Sequence, residues 1–171
     1  GKKPTRSMSM NAAQAAAEMA AAVEELTNLA RVANTSVQAF QSSSFAAANF
    51  GVEAKQLSQI VMNVNKQLGA FDTTGKGKFA KFLEALGDQA TITSEQLQQL
   101  SGPEQLQALV KQLEDANVPM ATQIKLMEGM AAGSSKLIPL YAQNGAEAEK
   151  LAARFRELNG AILPADVETF R

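Results

Sequence analysis

The chain has 171 residues, a formal net charge of −1 and a hydrophobic fraction of 46%, with aromatic residues at only 5%. It contains neither cysteine nor histidine. Their absence from the sequence excludes disulfides, thiol nucleophiles, Ser-His-Asp sites and histidine-based zinc sites within it. The near-neutral charge shows no excess of basic residues of the kind that specific nucleic-acid binding requires. No window of the sequence approaches the 18 apolar residues of a membrane span.

Alanine supplies much of the hydrophobic fraction, and no run of β-branched and aromatic residues alternates with polar ones. Alanine favours helices because it loses no side-chain entropy there. It also buries little area, so the larger apolar residues must lie on narrow faces. The sequence predicts an all-α protein, in which a long N-terminal amphipathic helix precedes several short capped helices that form a bundle or compact array.

The N-terminal third carries a heptad pattern. Residues 1–10 are predicted to be a disordered basic end, and residues 11–68 a long helical, coiled-coil-like region. From residue 11 to about residue 49, apolar positions recur at spacings of four and three. Two interpretations stay open: this seam packs on other copies of the chain, or it packs inside its own domain. The candidate self-association residues are Met19, Val23, Leu26, Ala30, Ala33, Val37 and Phe40.

A glycine- and lysine-rich stretch, FDTTGKGKF at residues 71–79, has the composition of a phosphate-binding loop. A P-loop requires four residues between its glycines, and then lysine and a hydroxyl residue, all after a strand. Here Gly69 and Gly75 enclose five residues, Gly77 follows Lys76, and the preceding pattern is helical. We therefore predict that residues 69–78 form a connector, with Gly69 ending the preceding helix.

Residues 79–171 are predicted to form a compact multi-helix region, truncated at its C-terminal end. Thr93 with Gln96, and Ser101 with Glu104, have the spacing of capping boxes. A short helix is expected before Gly87, and further helices over residues 102–116, from Pro119, and over residues 146–158. Another helix opens after Leu163 and stops two turns later, which indicates a segment of a longer protein. The expected inward residues are Leu106, Leu109, Val110, Leu113, Ile124, Met127, Met130, Leu151, Phe155 and Leu158.

The acidic residues lie mostly beside Lys, Gln or Ala on helical stretches, which is typical of solvated faces. The sequence therefore predicts no catalytic, metal-binding or cofactor-binding residue. A small lytic enzyme that uses two carboxylates, as glycosidases do, is the enzyme hypothesis that remains.

Four stretches, taken in order, resemble the tail tape measure protein of long-tailed bacteriophages and prophages. Two are ARVANTSVQAFQSSSFAAANFGVEAKQLSQIVMNVNKQLGAF and TTGKGKFAKFLEALG. The other two are LSGPEQLQALVKQLEDANVP and GMAAGSSKLIPLYAQNGAEAEKLAARFRELNGAI. The resemblance covers about residues 25–165 and rests on the order and spacing of these pieces.

The resemblance implies a structural protein that fills the tail tube in a few parallel copies, sets the tube length and leaves ahead of the DNA. The implied partners are other copies, the tail tube, the tail assembly chaperone and tail-tip proteins, and a host envelope protein or membrane at injection. The implied locations are the virion tail lumen, the host cytoplasm during assembly and the host envelope at injection. The alternative is a helical binding module that recognises a tail-tip, chaperone or envelope protein. It predicts a monomer with the heptad seam folded inward.

Overall fold

A computed structural model describes the backbone of residues 2–162 and the side chains of residues 12–159. This part of the chain contains eight α-helices and no strand, which confirms the all-α prediction. The helices are α1 (Lys2–Val32), α2 (Val37–Ala48), α3 (Ala54–Thr74), α4 (Lys78–Leu86), α5 (Ser94–Gln98), α6 (Gly102–Asp115), α7 (Met120–Met130) and α8 (Ile138–Ile162). Two 3-10 turns, Gly87–Gln89 and Ser134–Leu137, precede α5 and α8.

Helix α3 lies at the centre, because it contacts α1, α2, α4, α5, α6 and α7, while α8 packs across α2 and α6. Its apolar face is fully buried. Near its end, the ring of Phe71 meets Phe79 of α4 edge-on at 5.2 Å, and Phe79 stacks on Phe82 at 5.9 Å. One hydrophobic core runs from Ala30 to Leu151. The predicted regions 11–68 and 79–171 therefore share a core on both sides of the connector.

The long N-terminal helix is present as the 31-residue α1, but the heptad pattern of residues 11 to about 49 does not form one helix. The helix breaks after Val32, where Asn34 adopts a left-handed conformation with φ of 53°. Ser36 then caps the next helix, since its hydroxyl accepts a hydrogen bond from the backbone N–H of Ala39 at 3.1 Å. Asparagine tolerates the left-handed region and serine is a strong N-cap. The N-T-S sequence thus ends one helix and starts another inside a continuous heptad pattern. At the other end, α1 begins at Lys2, within the segment predicted to be disordered.

The predicted connector is much shorter than residues 69–78. Gly69 lies inside α3, which continues to Thr74, and the hydroxyls of Thr73 and Thr74 donate to carbonyls one turn earlier at 3.0 and 2.8 Å. The helix ends at Gly75, whose φ of 69° is left-handed and suits glycine. The connection is therefore a tight turn of three residues, and helix rather than strand precedes it.

Both predicted capping boxes are present. The hydroxyl of Thr93 accepts a hydrogen bond from the N–H of Gln96, and the N–H of Thr93 donates to the side-chain oxygen of Gln96. Ser101 and Glu104 form the same pair of hydrogen bonds. The predicted inward residues of α6 are all buried.

Two inward predictions are wrong: Ile124 and Leu158 are 43% and 46% exposed. The buried residues of α7 are Gln123, Met127 and Met130, and the amide of Gln123 donates to the carbonyl of Val118 at 2.9 Å. Gln123 therefore shares the buried face with the two methionines, and Ile124 lies outside it. The predicted helix after Leu163 lies outside the described residues.

Candidate protein interaction site

The seven seam residues fall into two groups in the structure. Met19 and Val23 are 69% and 63% exposed, Leu26 is half-buried and Val37 is exposed. The seam therefore faces solvent at its N-terminal end and enters the core of its own chain further along. Whether the exposed end contacts other copies stays a prediction. The three buried seam residues are Ala30, Ala33 and Phe40.

The exposed part of α1, residues 12–25, is named the arm here. Each of its residues is exposed. The first contacts with the rest of the chain occur at its C-terminal end, which is called its base. Lys55 forms an ion pair with Glu25 at 3.8 Å, and Ser58 donates to the carbonyl of Leu29 at 2.9 Å. Because the residue numbers of these partners increase together along α1 and α3, the two helices run in the same direction. The arm therefore extends beyond the N-terminal end of α3.

Met19 and Val23 form the apolar stripe of the arm. They are four residues apart, so they lie on one face of the helix, one turn from each other. The remaining residues of the arm are mostly alanine, with three glutamates and no lysine or arginine. Local propensity supports such a helix without tertiary contacts, since alanine and glutamate are good helix formers. The arm is thus an acidic helix with a narrow apolar stripe.

An apolar groove of about 830 Å³ lies between the end of α2, the start of α7 and the first half of α8. Met120 and Ile124 on its wall are 56% and 43% exposed. Phe50 forms part of the opposite wall and is half-buried. Exposed large apolar side chains gathered in one concave surface are typical of sites that bind another protein. The lining residues are Phe50, Met120, Ile124, Ser135, Ile138, Pro139, Ala142, Gln143, Ala146, Glu147 and Lys150.

The α8 wall of the groove contains a strained hinge. Gln143, Asn144 and Gly145 are consecutive residues with positive φ values of 55°, 62° and 75°. A left-handed conformation costs an ordinary L-residue roughly 1–2 kcal/mol. The backbone N–H of Gln143 donates to both carboxylate oxygens of Glu114, at 2.9 and 3.2 Å, which holds the hinge against α6. The helix predicted over residues 146–158 therefore begins directly after this break, which lies in the groove wall.

A second anchor fixes the turn before α8. The carboxylate of Glu128 accepts hydrogen bonds from the N–H of Gly133 and the N–H of Ser135, both at 3.0 Å, and from the hydroxyl of Ser135 at 2.6 Å. The hydroxyl bond of Ser135 is the main reason that the pKa of Glu128 is lowered from its ordinary value. Partial burial opposes this shift, and the two backbone bonds and Lys136 add to it. The anchor positions Ser135 on the groove.

Sequence reasoning missed most of the groove. Its walls come from residues that lie about 70 positions apart in the chain, such as Phe50 and Met120. Periodicity within one helix cannot reveal which faces of separate helices meet. The available signal was the four-residue spacing of Met120 and Ile124, which marks an apolar face distinct from the buried Met127 and Met130 face.

The acidic residues between positions 12 and 159 are exposed or half-buried, and none of them forms a group of three that could hold a metal ion. A smaller cleft between α4 and α7 is lined by Lys78, Lys81 and Lys125. Among the described helices, none combines the length and hydropathy that a bilayer-crossing segment requires.

Comparison of the chain with protein-family models, with curated proteins and with solved structures gives no match.

Proposed function

We propose that the chain is a non-enzymatic structural segment of a phage tail tape measure protein, and that it works by protein–protein packing. The observation that carries the packing role is the arm, which exposes Met19 and Val23 with no partner surface in the described part of the chain. Burying two such side chains in an interface is favourable by about 1.5–3 kcal/mol each. The tail assignment rests on the four sequence stretches that resemble the family.

The segment does not itself serve as an extended ruler under this proposal. An α-helix rises 1.5 Å per residue, so the 31-residue α1 spans about 46 Å. The residues after it fold back into helices of 25 residues or fewer around one core. We therefore assign the measuring function to other parts of a longer polypeptide and the joining of copies to the arm.

Light scattering over a concentration series tests the packing role. We expect an assembly larger than the 18.1 kDa chain. The double variant Met19→Glu with Val23→Lys should remain a monomer, because it places charges on the stripe. The matched control, Ala17→Glu with Ala21→Lys, adds the same charges at the same spacing on the opposite face of the arm. The control should assemble like the original chain. A strict monomer at every concentration would overturn the role of the arm.

The tail assignment has its own test. Peptides of this chain should be found by mass spectrometry in purified intact tails of a phage or prophage that encodes it. They should be depleted from tails that have ejected their DNA, since the family leaves the tube at injection. Intact tails without these peptides would contradict the assignment. Association with the tube, the chaperone, tail-tip proteins or the host envelope belongs to the same proposal.

A second candidate function is the helical binding module, and the groove is the observation that favours it. The test is copurification of the chain with the tail-tip and chaperone proteins of the same phage. Ile124→Lys places a charge in the groove and should abolish capture, while Lys66→Glu on the exposed side of α3 should not. Equal capture by both variants would contradict this candidate. The lytic-enzyme hypothesis needs two carboxyl groups in one cleft. Glu104 and Glu149 line one small cleft, but both are exposed, and no described carboxyl group is buried.

A further inference from the structure

We infer that the groove is the binding site for the arm of a second copy of this chain, so that two copies exchange arms reciprocally. This inference rests on the proposed self-association through the arm and names the surface that receives it. The arm cannot fill the groove of its own chain, because it continues α1 outward from its base at Glu25 and Leu29.

The two surfaces match in chemistry. Four of the most exposed large apolar side chains in the described residues belong to them: Met19 and Val23 on the arm, and Met120 and Ile124 in the groove. Amphipathic helices bind apolar grooves through residues spaced by three or four positions. Methionine on both sides adapts to irregular contacts because its side chain is unbranched and flexible.

The two surfaces also lie at the same end of the molecule. Glu25 pairs with Lys55 in the first turn of α3, so the arm begins where α3 begins. Phe50, on the groove wall, comes just before that same turn. Two copies that face each other at this end can each place the arm in the partner's groove. Such an exchange is isologous and closes as a dimer.

The area favours reciprocal exchange over a single contact. The 14 residues of the arm form a cylinder about 21 Å long and about 10 Å wide. Covering one half of it buries roughly 330 Å² on each side, or roughly 650 Å² for one arm in one groove. Stable interfaces bury about 1,200–2,000 Å² in total. One contact is below this range and two contacts, roughly 1,300 Å², are within it.

Charge does not oppose the same pairing. The arm carries Glu18, Glu24 and Glu25 and no basic residue. At the groove, Lys150 pairs with Glu147 at 3.7 Å, and Lys136 lies near the carboxylate of Glu128. The two lysines and two carboxylates balance each other, so the pairing depends on apolar contact, and salt should change its strength only slightly.

Cysteine cross-linking tests the inference, and a chain without native cysteine makes the result clean. Val23→Cys and Ile124→Cys chains are mixed and oxidised with copper phenanthroline. We expect a disulfide-linked heterodimer, because a docked arm brings the two α-carbons within the roughly 4.4–6.8 Å that a disulfide spans. The control mixture, Ala21→Cys with Ile124→Cys, places the arm thiol on the opposite face and should cross-link at least tenfold more slowly. Light scattering of the original chain should give twice 18.1 kDa.

The outcomes separate this inference from the proposal on which it rests. Fast oxidation of Val23→Cys alone, without a heterodimer, would show that stripes pack on each other. That result would overturn the groove as the receiving site and keep self-association. A trimer or larger assembly would also overturn reciprocal exchange. A monomer that forms no cross-link in any mixture would overturn both. Equal rates with Val23→Cys and Ala21→Cys would overturn the groove assignment, because a specific site distinguishes the two faces.

Discussion

The arm and the rest of the chain are helical for different reasons. Residues 12–25 are exposed throughout, and they are helical because alanine and glutamate are good helix formers and because they continue the packed part of α1. Residues 26–159 form shorter helices that hold their places because their apolar faces share one core. Helices of a few turns are marginal in water without such packing. The apolar residues of the arm therefore add nothing to the stability of the monomer, which is why we assign them to contacts between copies.

The largest expected effect comes from removing one large side chain from each of the two regions. Phe79 is fully buried among aromatic rings, so Phe79→Ala should lower the free energy of unfolding by about 3–5 kcal/mol. Met19→Ala should change it by less than about 0.5 kcal/mol, because the side chain is exposed. Urea denaturation at a concentration where the chain is a monomer measures both. A loss of more than 1 kcal/mol for Met19→Ala would mean that the arm packs on its own chain.

Two glycines test how tightly α1 joins the core. A β-carbon at Gly102 would overlap the carbonyl oxygen of Ala33 and lie 2.6 Å from a methyl group of Val61. Because backbone cannot move aside easily, Gly102→Ala should destabilise the fold by about 1–3 kcal/mol or more. Gly69 is a matched control inside α3 with open space around it. Gly69→Ala should stabilise the helix by roughly 0.5–1 kcal/mol. Thermal unfolding of both variants gives the comparison, and equal shifts would contradict the close approach at Gly102.

The sequence predicted helices wherever the local signals were strong. Both capping boxes and the buried face of α6 follow from residue spacing alone, and the structure confirms them. Periodicity failed to predict the helix break at Asn34 and Ser36, where a strong local signal competes with it. The heptad spacing continues through these residues, but the helix does not. Glycine failed as a stop signal at Gly69, because a single helical glycine costs only about 1 kcal/mol and α3 recovers more from its buried face.

The candidate site was predicted in part. The heptad seam includes the arm residues Met19 and Val23, but it could not show which seam residues stay exposed, since that depends on where α3 begins. Their role in self-association stays a prediction. The groove could not be predicted, because Phe50 lies about 70 positions before the α7 and α8 residues that complete its walls. Ile124 illustrates the limit: its spacing indicates a helical face, but the face that packs against the core is the neighbouring one with Gln123, Met127 and Met130.

A smaller effect is expected at the hinge in the groove wall. Gln143→Gly should stabilise the fold by about 0.5–1 kcal/mol, because glycine adopts a left-handed conformation without the penalty of a side chain. The gain is reduced by the greater entropy of glycine in the unfolded chain. Asn144→Gly should gain less, since asparagine tolerates this conformation better than glutamine. Chemical denaturation measures both. A destabilising Gln143→Gly variant would mean that the glutamine side chain, rather than its backbone, secures the hinge.

The smallest expected effect concerns the pH dependence of the turn anchored by Glu128. The pKa of this carboxyl group is below its ordinary value of 4.5 in the folded chain, chiefly through the hydroxyl of Ser135. A lowered folded-state pKa means that the anchor stabilises the fold above about pH 4.5, and that this contribution disappears as the pH falls through the folded-state value. Glu128→Gln should therefore be less stable than the original chain at pH 7, with the gap closing as the pH falls through the folded-state pKa. Ser135→Ala keeps the carboxylate and the two backbone donors, so it should show the same trend with smaller amplitude. Urea denaturation over a pH series from 7 into the acid range measures the gap. A constant gap would mean that Glu128 acts through packing rather than charge, and the groove wall at Ser135 would then be held by the shape of the turn alone.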